Sequence, residues 1–146
     1  MCGISGIYNF DTEKCIDPHM LNRMTDIMAH RGPDGRGIWL GDNIGFGHRR
    51  LSILDLSKSG HQPMQSKCGR FLMVFNGEIY NHLKLRKEIG EKKSNVDFSP
   101  KLWSGGSDTE TLLTCFSFLG IQKSLKKATG MFALAVWDKK EQRLYL

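Results

Sequence analysis

Met1-Cys2-Gly3-Ile4-Ser5-Gly6 begins the chain, and much of the remaining sequence serves the chemistry that these six residues can carry out. From Ile4 to Tyr8 an apolar, glycine-punctuated run alternates in the way of a strand. Cys2 therefore stands at the head of a strand, held by a rigid sheet. Cysteine is small, so the methionine before it is of the kind normally trimmed, which leaves Cys2 as the first residue. A free α-amine titrates at about 7.7–8.0 and a free thiol at about 8.5. One residue can then supply both a nucleophile and its general base. Taken alone, a cysteine near a terminus reads equally as a small buried hydrophobe.

Downstream, Asp17-Pro18 reads as a helix N-cap and first residue. Met20, Leu21, Met24, Ile27 and Met28 recur at helical spacing and predict an amphipathic helix to about Ala29, its methionines in the core. His30-Arg31-Gly32-Pro33-Asp34-Gly35 breaks it as a turn, or as a loop ordered over a pocket. Trp39-Leu40, Gly41-Asp42-Asn43 and Ile44 to His48 predict a hairpin. Alternate glycines in its second strand point to close approach of another backbone or a ligand. Arg50 ends that strand, either as a surface charge or as a bidentate grip on a carboxylate.

Phe71 to Phe75 is a short continuous apolar run of buried-strand type. It meets Asn76-Gly77, which on local grounds signals a hairpin. The same geometry can bring the Asn76 amide and the Gly77 N–H to one point as an oxyanion hole. Leu83, Leu85 and Ile89 predict a helix that stops at Gly90, and 91–102 reads as an exposed loop. Ser107 and Glu110 fit a capping box ahead of Leu112, Leu113, Phe116 and Leu119. Asp108 then lies in the first turn, where the helix dipole favours a carboxylate. After Gly120 come a short helix, a buried strand over Met131 to Trp137, and a return strand from Arg143 to Leu146.

With 146 residues, 40% of them hydrophobic, one domain with its own core is expected. The net charge of +6 raises nucleic-acid binding, but the basic residues are scattered and no aromatic-interleaved basic run occurs. Four cysteines stand far apart without a C-x-x-C pair, which argues against a metal site. Neither a signal peptide nor an apolar membrane span is present, so a cytoplasmic protein with reduced thiols is expected.

Five stretches, in this order, resemble the glutaminase domain of class II (N-terminal nucleophile) amidotransferases. They are Met1-Cys2-Gly3-Ile4, His30-Arg31-Gly32-Pro33-Asp34, Arg50-Leu51-Ser52-Ile53, Asn76-Gly77-Glu78-Ile79-Tyr80-Asn81 and Gly106-Ser107-Asp108-Thr109-Glu110. The Arg-Gly-Pro-Asp and Arg-Leu-Ser-Ile versions look most like the glutamine-hydrolysing asparagine synthetases. The resemblance implies an α+β fold, a four-layer αββα sandwich of two antiparallel sheets. It also implies hydrolysis of L-glutamine to L-glutamate and ammonia through a Cys2 thioester, with Cys2, Asn76 and Gly77 catalytic. Arg50 matches the residue that binds the substrate α-carboxylate and Asp108 the one that takes its α-ammonium. Glu78, Leu51, Ile53 and Leu54 match the rest of the glutamine-binding wall.

By the same resemblance, residues 1–146 form one glutaminase domain, incomplete because the family's sheet continues past Leu146. The synthetase domain is absent, and Ser104-Gly105-Gly106-Ser107-Asp108 imitates its phosphate loop while standing in the glutaminase position. No cofactor or metal is expected here, with ATP and Mg expected only in that synthetase domain. The expected partners are L-glutamine and a synthetase domain, in the same chain or a partner subunit; a homodimer is compatible, and nucleic acid and membrane are not expected. The alternative is a catalytically silent fragment, or a binding module that retains the amidotransferase fold.

Overall fold

The computed structural model describes residues 2–52, 57–93 and 102–146. Strands β1 (Gly3–Tyr8), β2 (Gly35–Leu40) and β3 (Ile44–Arg50) form one antiparallel sheet in the order β1-β3-β2. Strands β4 (Met64–Gln65), β5 (Phe71–Ile79), β6 (Gly130–Asp138) and β7 (Arg143–Tyr145) form a second, in chain order. Helix α1 (Pro18–Asp26) covers the first sheet, and α2 (His82–Lys93), α3 (Asp108–Leu119) and α4 (Ile121–Lys127) accompany the second. The layers run helix, sheet, sheet, helix, as the family resemblance implied.

Side-chain alternation explains how one chain builds two cores. On β5, Phe71, Met73 and Phe75 join Leu85, Ile89, Leu112, Leu113 and Phe116 beneath the helices. Leu72 and Val74 point the other way and meet Ile44, Phe46, Ala135 and Trp137 between the sheets. A strand buried on both faces has no room for polar alternation, hence its unbroken apolar run. The same period of two places Cys2, His48, Arg50, Asn76 and Glu78 on the inter-sheet side. The site is thus a consequence of register.

Gly45 and Gly47 have their own use, which is to admit helix α1. A Cβ on Gly45 would lie 2.8 Å from Leu21 Cδ2, and one on Gly47 would overlap Thr25 Oγ1. The close approach expected at these glycines is therefore made by helix side chains, not by a backbone or ligand. Gly47→Ala should cost about 1–3 kcal/mol by overpacking, read as a lowered urea midpoint at unchanged m-value.

Several expectations are corrected. The helix of the methionine stripe ends at Asp26, where its hydrogen bonds tighten and a 3-10 turn, Ala29–Arg31, takes over. Leu21 and Thr25 are the residues α1 buries, whereas Met20 (56%), Met24 (38%) and Ile27 (79%) are exposed. Their stripe is offset from the glycine floor, so they do not enter the core. Asn76-Gly77 is not a hairpin turn; it lies inside β5, which β6 pairs along all nine residues. Long-range pairing has overridden the local turn signal. Helix α2 runs through Gly90 to Lys93, and residues 94–101 of the expected loop lie outside the described residues.

At the far end, Asp138 receives a forked contact from Arg70 and the N–H groups of Lys140 and Glu141, which fixes the β6–β7 turn. Strand β7 lies at the edge of its sheet, beside an apolar groove lined by Ile4, Tyr8, Phe46, Val74, Ala135 and Leu144. No helix among the described residues is long and apolar enough to cross a membrane.

Candidate active site

Cys2 precedes β1 and stands next to Gly3, whose register partner is Arg49 of β3. Its thiol is held by one backbone residue: Leu51 N donates to Sγ at 3.3 Å, and Sγ donates to Leu51 O at 3.6 Å. From the 3-10 turn, Arg31 Nε donates to the Cys2 carbonyl at 3.3 Å. Asp34 completes the brace by accepting Ser52 N–H on Oδ2 at 2.8 Å, while its own N–H donates to Arg50 O at 3.0 Å. The His30–Gly35 stretch thus orders a loop over a pocket as well as turning the chain.

A cleft of about 240 Å³ opens in front of the thiol. Seven of the nine expected site residues line it: Cys2, Arg50, Leu51, Asn76, Gly77, Glu78 and Asp108. Ile53 and Leu54 lie outside the described residues. Arg50 Nη1 donates to Ser57 O at 2.8 Å, and Gly60 forms a wall so close that a Cβ there would overlap the guanidinium. Gly77 adopts a φ of 154°, and a Cβ on it would overlap Met131 O and Phe132 Cα of β6. Glycine alone lets the backbone run this close beside β6 while exposing its N–H beside Asn76.

Asp108 is buried at the start of α3. Its Oδ2 accepts Ile79 N–H at 2.8 Å and its Oδ1 accepts Thr109 N–H at 2.8 Å. Thr109 Oγ1 adds a longer bond to Oδ1 at 3.5 Å; a carboxylate has about four acceptor positions, so these three fix it without exhausting it. Its helix starts as expected, with Ser107 Oγ accepting Glu110 N–H at 3.1 Å. The capping box is not reciprocal, however. Glu110 sends its carboxylate to Ser104 N–H (2.7 Å) and Gly105 N–H (3.0 Å) instead. Arg86 of α2 clamps the same loop through Gly105 O, Ser107 O and Thr111 Oγ1, with its guanidinium over Trp103.

Gly60, Gln62, Phe75, Tyr80, Ser107, Thr109 and Met131 also line the cleft, beyond the residues that the sequence points to. For Gln62 no local sequence signal exists, since its role depends on Phe75 of the neighbouring strand. The same holds for Arg86. The other cysteines are elsewhere: Cys15 and Cys68 are exposed, and burial pushes the Cys115 thiol up to about 11. Among the described residues no cluster of His, Cys, Asp or Glu is arranged to hold a metal ion. The cleft therefore offers a thiol, an amide donor, a backbone N–H, a guanidinium and two carboxylates. That set can attack a carbonyl, hold the resulting oxyanion and grip a zwitterion.

Comparison with known proteins narrows this. The glutamine amidotransferase domain model matches residues 1–146. Asparagine synthetase [glutamine-hydrolyzing] 1 of Bacillus subtilis is 34% identical over 99% of this chain, and asparagine synthetase B of Escherichia coli is 35% identical over 100% of it. The chain spans 22% and 24% of those two relatives. Glutamine phosphoribosylpyrophosphate amidotransferase of B. subtilis shares the fold, with a TM-score of 0.69 over 93% of this chain and 35% of its own at 18% identity. By its full-length family match and its layered fold, this chain belongs to the glutamine amidotransferase domain family.

Proposed function

We propose that this chain hydrolyses L-glutamine and supplies ammonia to an ATP-dependent amidation of the asparagine synthetase kind. The observation that carries it is the juxtaposition of Cys2, Asn76, Gly77, Arg50 and Asp108 in one cleft. Cys2 Sγ attacks the side-chain amide carbon of glutamine, and the carbonyl oxygen becomes an oxyanion. The Asn76 amide and Gly77 N–H stabilise that charge, where one donor is typically worth ~10²–10³ in rate. The Cys2 α-amine takes the thiol proton and delivers it to the departing nitrogen, which leaves as ammonia. Water then attacks the thioester through a second oxyanion, releasing glutamate and restoring the thiol.

Arg50 forks onto the substrate carboxylate and Asp108 takes its ammonium, so the pair selects an α-amino acid by both ends. Glu78 and Leu51 close the walls around it. The compartment proposed is the cytoplasm, where unpaired cysteines stay reduced.

The test is the release of glutamate and ammonia in equal amounts from L-glutamine, with its KM. Arg50→Lys loses one of two parallel hydrogen bonds, and Asp108→Asn loses the charge opposite the ammonium. Each should raise KM about tenfold or more, as expected for one charge-assisted hydrogen bond of about 1.5–3 kcal/mol, with kcat little changed. If KM stays put in Asp108→Asn, that carboxylate serves only Ile79 and Thr109.

A further inference from the structure

Phe75 immediately precedes Asn76-Gly77, and side chains hold both of its backbone polar groups. Strand β4 has two residues, with Met64 opposite Met73 and Gln65 opposite Leu72. Continued, that register would set residue 62 opposite Phe75, but the paired strand begins only at Met64. Gln62 completes it from its side chain, Oε1 accepting Phe75 N–H at 2.7 Å. His48 supplies the other half, its Nε2 donating to Phe75 O at 3.2 Å. Both residues are buried, His48 completely.

The two grips share one foundation. Gly37 pairs with His48 across β2 and β3, and a Cβ on Gly37 would overlap the Gln62 carbonyl oxygen. One spot on the three-stranded sheet thus holds the two successive peptide groups that flank the Phe75 Cα. His48 Nδ1 has no hydrogen-bond partner among the described residues. A proton there would be a buried, unsatisfied N–H, so the neutral ring carries its hydrogen on Nε2. Burial also holds the His48 pKa down to about 4, which leaves the ring a fixed donor at neutral pH. His48 does not line the cleft.

We infer that His48 and Gln62 are positioning residues of the oxyanion hole, which clamp the backbone on both sides of the Phe75 Cα and so aim the Asn76 amide at the carbonyl attacked by Cys2. The inference rests on the glutaminase reading of Cys2 and Asn76. A misplacement of about 1 Å near the reacting atoms can cost ~10² in rate.

The experiment compares His48→Leu, His48→Gln, Gln62→Leu and Gln62→Glu in the intact protein that carries this chain. His48→Leu and Gln62→Leu should lower kcat about ten- to hundredfold with KM within about twofold of wild type. His48→Gln restores an N–H donor and Gln62→Glu an acceptor, so each should recover most of the loss. In Asn76→Ala, adding His48→Leu should cost nothing more, because groups that act through one another are non-additive. Alkylation of Cys2 by iodoacetamide, followed by peptide mass, forms no oxyanion and should stay at the wild-type rate. Additive losses in the double variant, an unchanged kcat in both leucine variants, or slowed alkylation would overturn the inference. If His48→Leu does not fold, the Gln62 pair decides. Failure of the underlying reading looks different: wild type would release no ammonia, or Asn76→Ala would lose nothing, and both proposals would fall together.

Discussion

In Cys2→Ala, ammonia release from glutamine should disappear while glutamine still binds within a few-fold of wild type. The loss should reach about 10⁴-fold or more, the scale on which deletions of a nucleophile fall. Binding survives because the groups proposed to grip the substrate, Arg50 and Asp108, are held by Ser57, Ile79 and Thr109 and not by the thiol. The fold should survive too, since among the described residues Sγ hydrogen-bonds only to the backbone of Leu51, and Cys2 is half-buried, within reach of water. Glutamine should protect Cys2 from iodoacetamide without protecting the exposed Cys15 and Cys68. The same experiment on protein that retains Met1 separates thiol from amine. An acylated α-nitrogen cannot take a proton, so glutaminase activity should be lost there although the thiol is intact. Full turnover in a preparation whose intact mass includes Met1 would rule out the amine as base.

How far the sequence reaches is explained by which interactions are local. The β2–β3 hairpin, the Asp17 N-cap and the Ser107 N-cap are legible because their signals lie within a few residues of the structure they make. Asn76-Gly77 reads locally as a turn, wrongly, because its partner, β6, is more than fifty residues away in the chain. The methionine stripe misleads for a related reason. Periodicity finds an apolar face, but Gly45 and Gly47 choose which neighbouring stripe is seated. The candidate site is legible through the family resemblance, since each of its stretches has an ordinary local reading. What no local pattern carries is the bracing around it. Arg86 and Glu110 on the Ser104–Ser107 loop, and His48 and Gln62 on Phe75, are side chains that replace missing backbone partners. Such contacts need the two sheets already assembled.

Acid should expose one of those braces directly. His48 is neutral in the folded protein down to about pH 4, chiefly through burial, with the neighbouring His61 and Arg50 also opposing its charging. In the unfolded chain the ring takes up its proton near its ordinary value of about 6.5. Between those limits the unfolded state binds more protons, so stability rises with pH. The contribution is fully present above about 6.5 and is lost as pH falls toward 4. Its full size is about 3 kcal/mol from the separation of the two values. Asp138 has a depressed pKa as well: its burial works against the charge, but Arg70 and the N–H groups of Glu141 and Lys140 outweigh it. That contribution is lost below the ordinary carboxylate value, beneath the His48 window. Urea unfolding from pH 7.5 to 4.5 should therefore show a steady loss of stability in wild type. The loss should be much shallower in His48→Gln, which keeps an N–H donor for Phe75 O but does not titrate. Parallel curves for the two proteins would mean that His48 already carries its proton when folded. Its bond to Phe75 would then have to be read as that of an imidazolium.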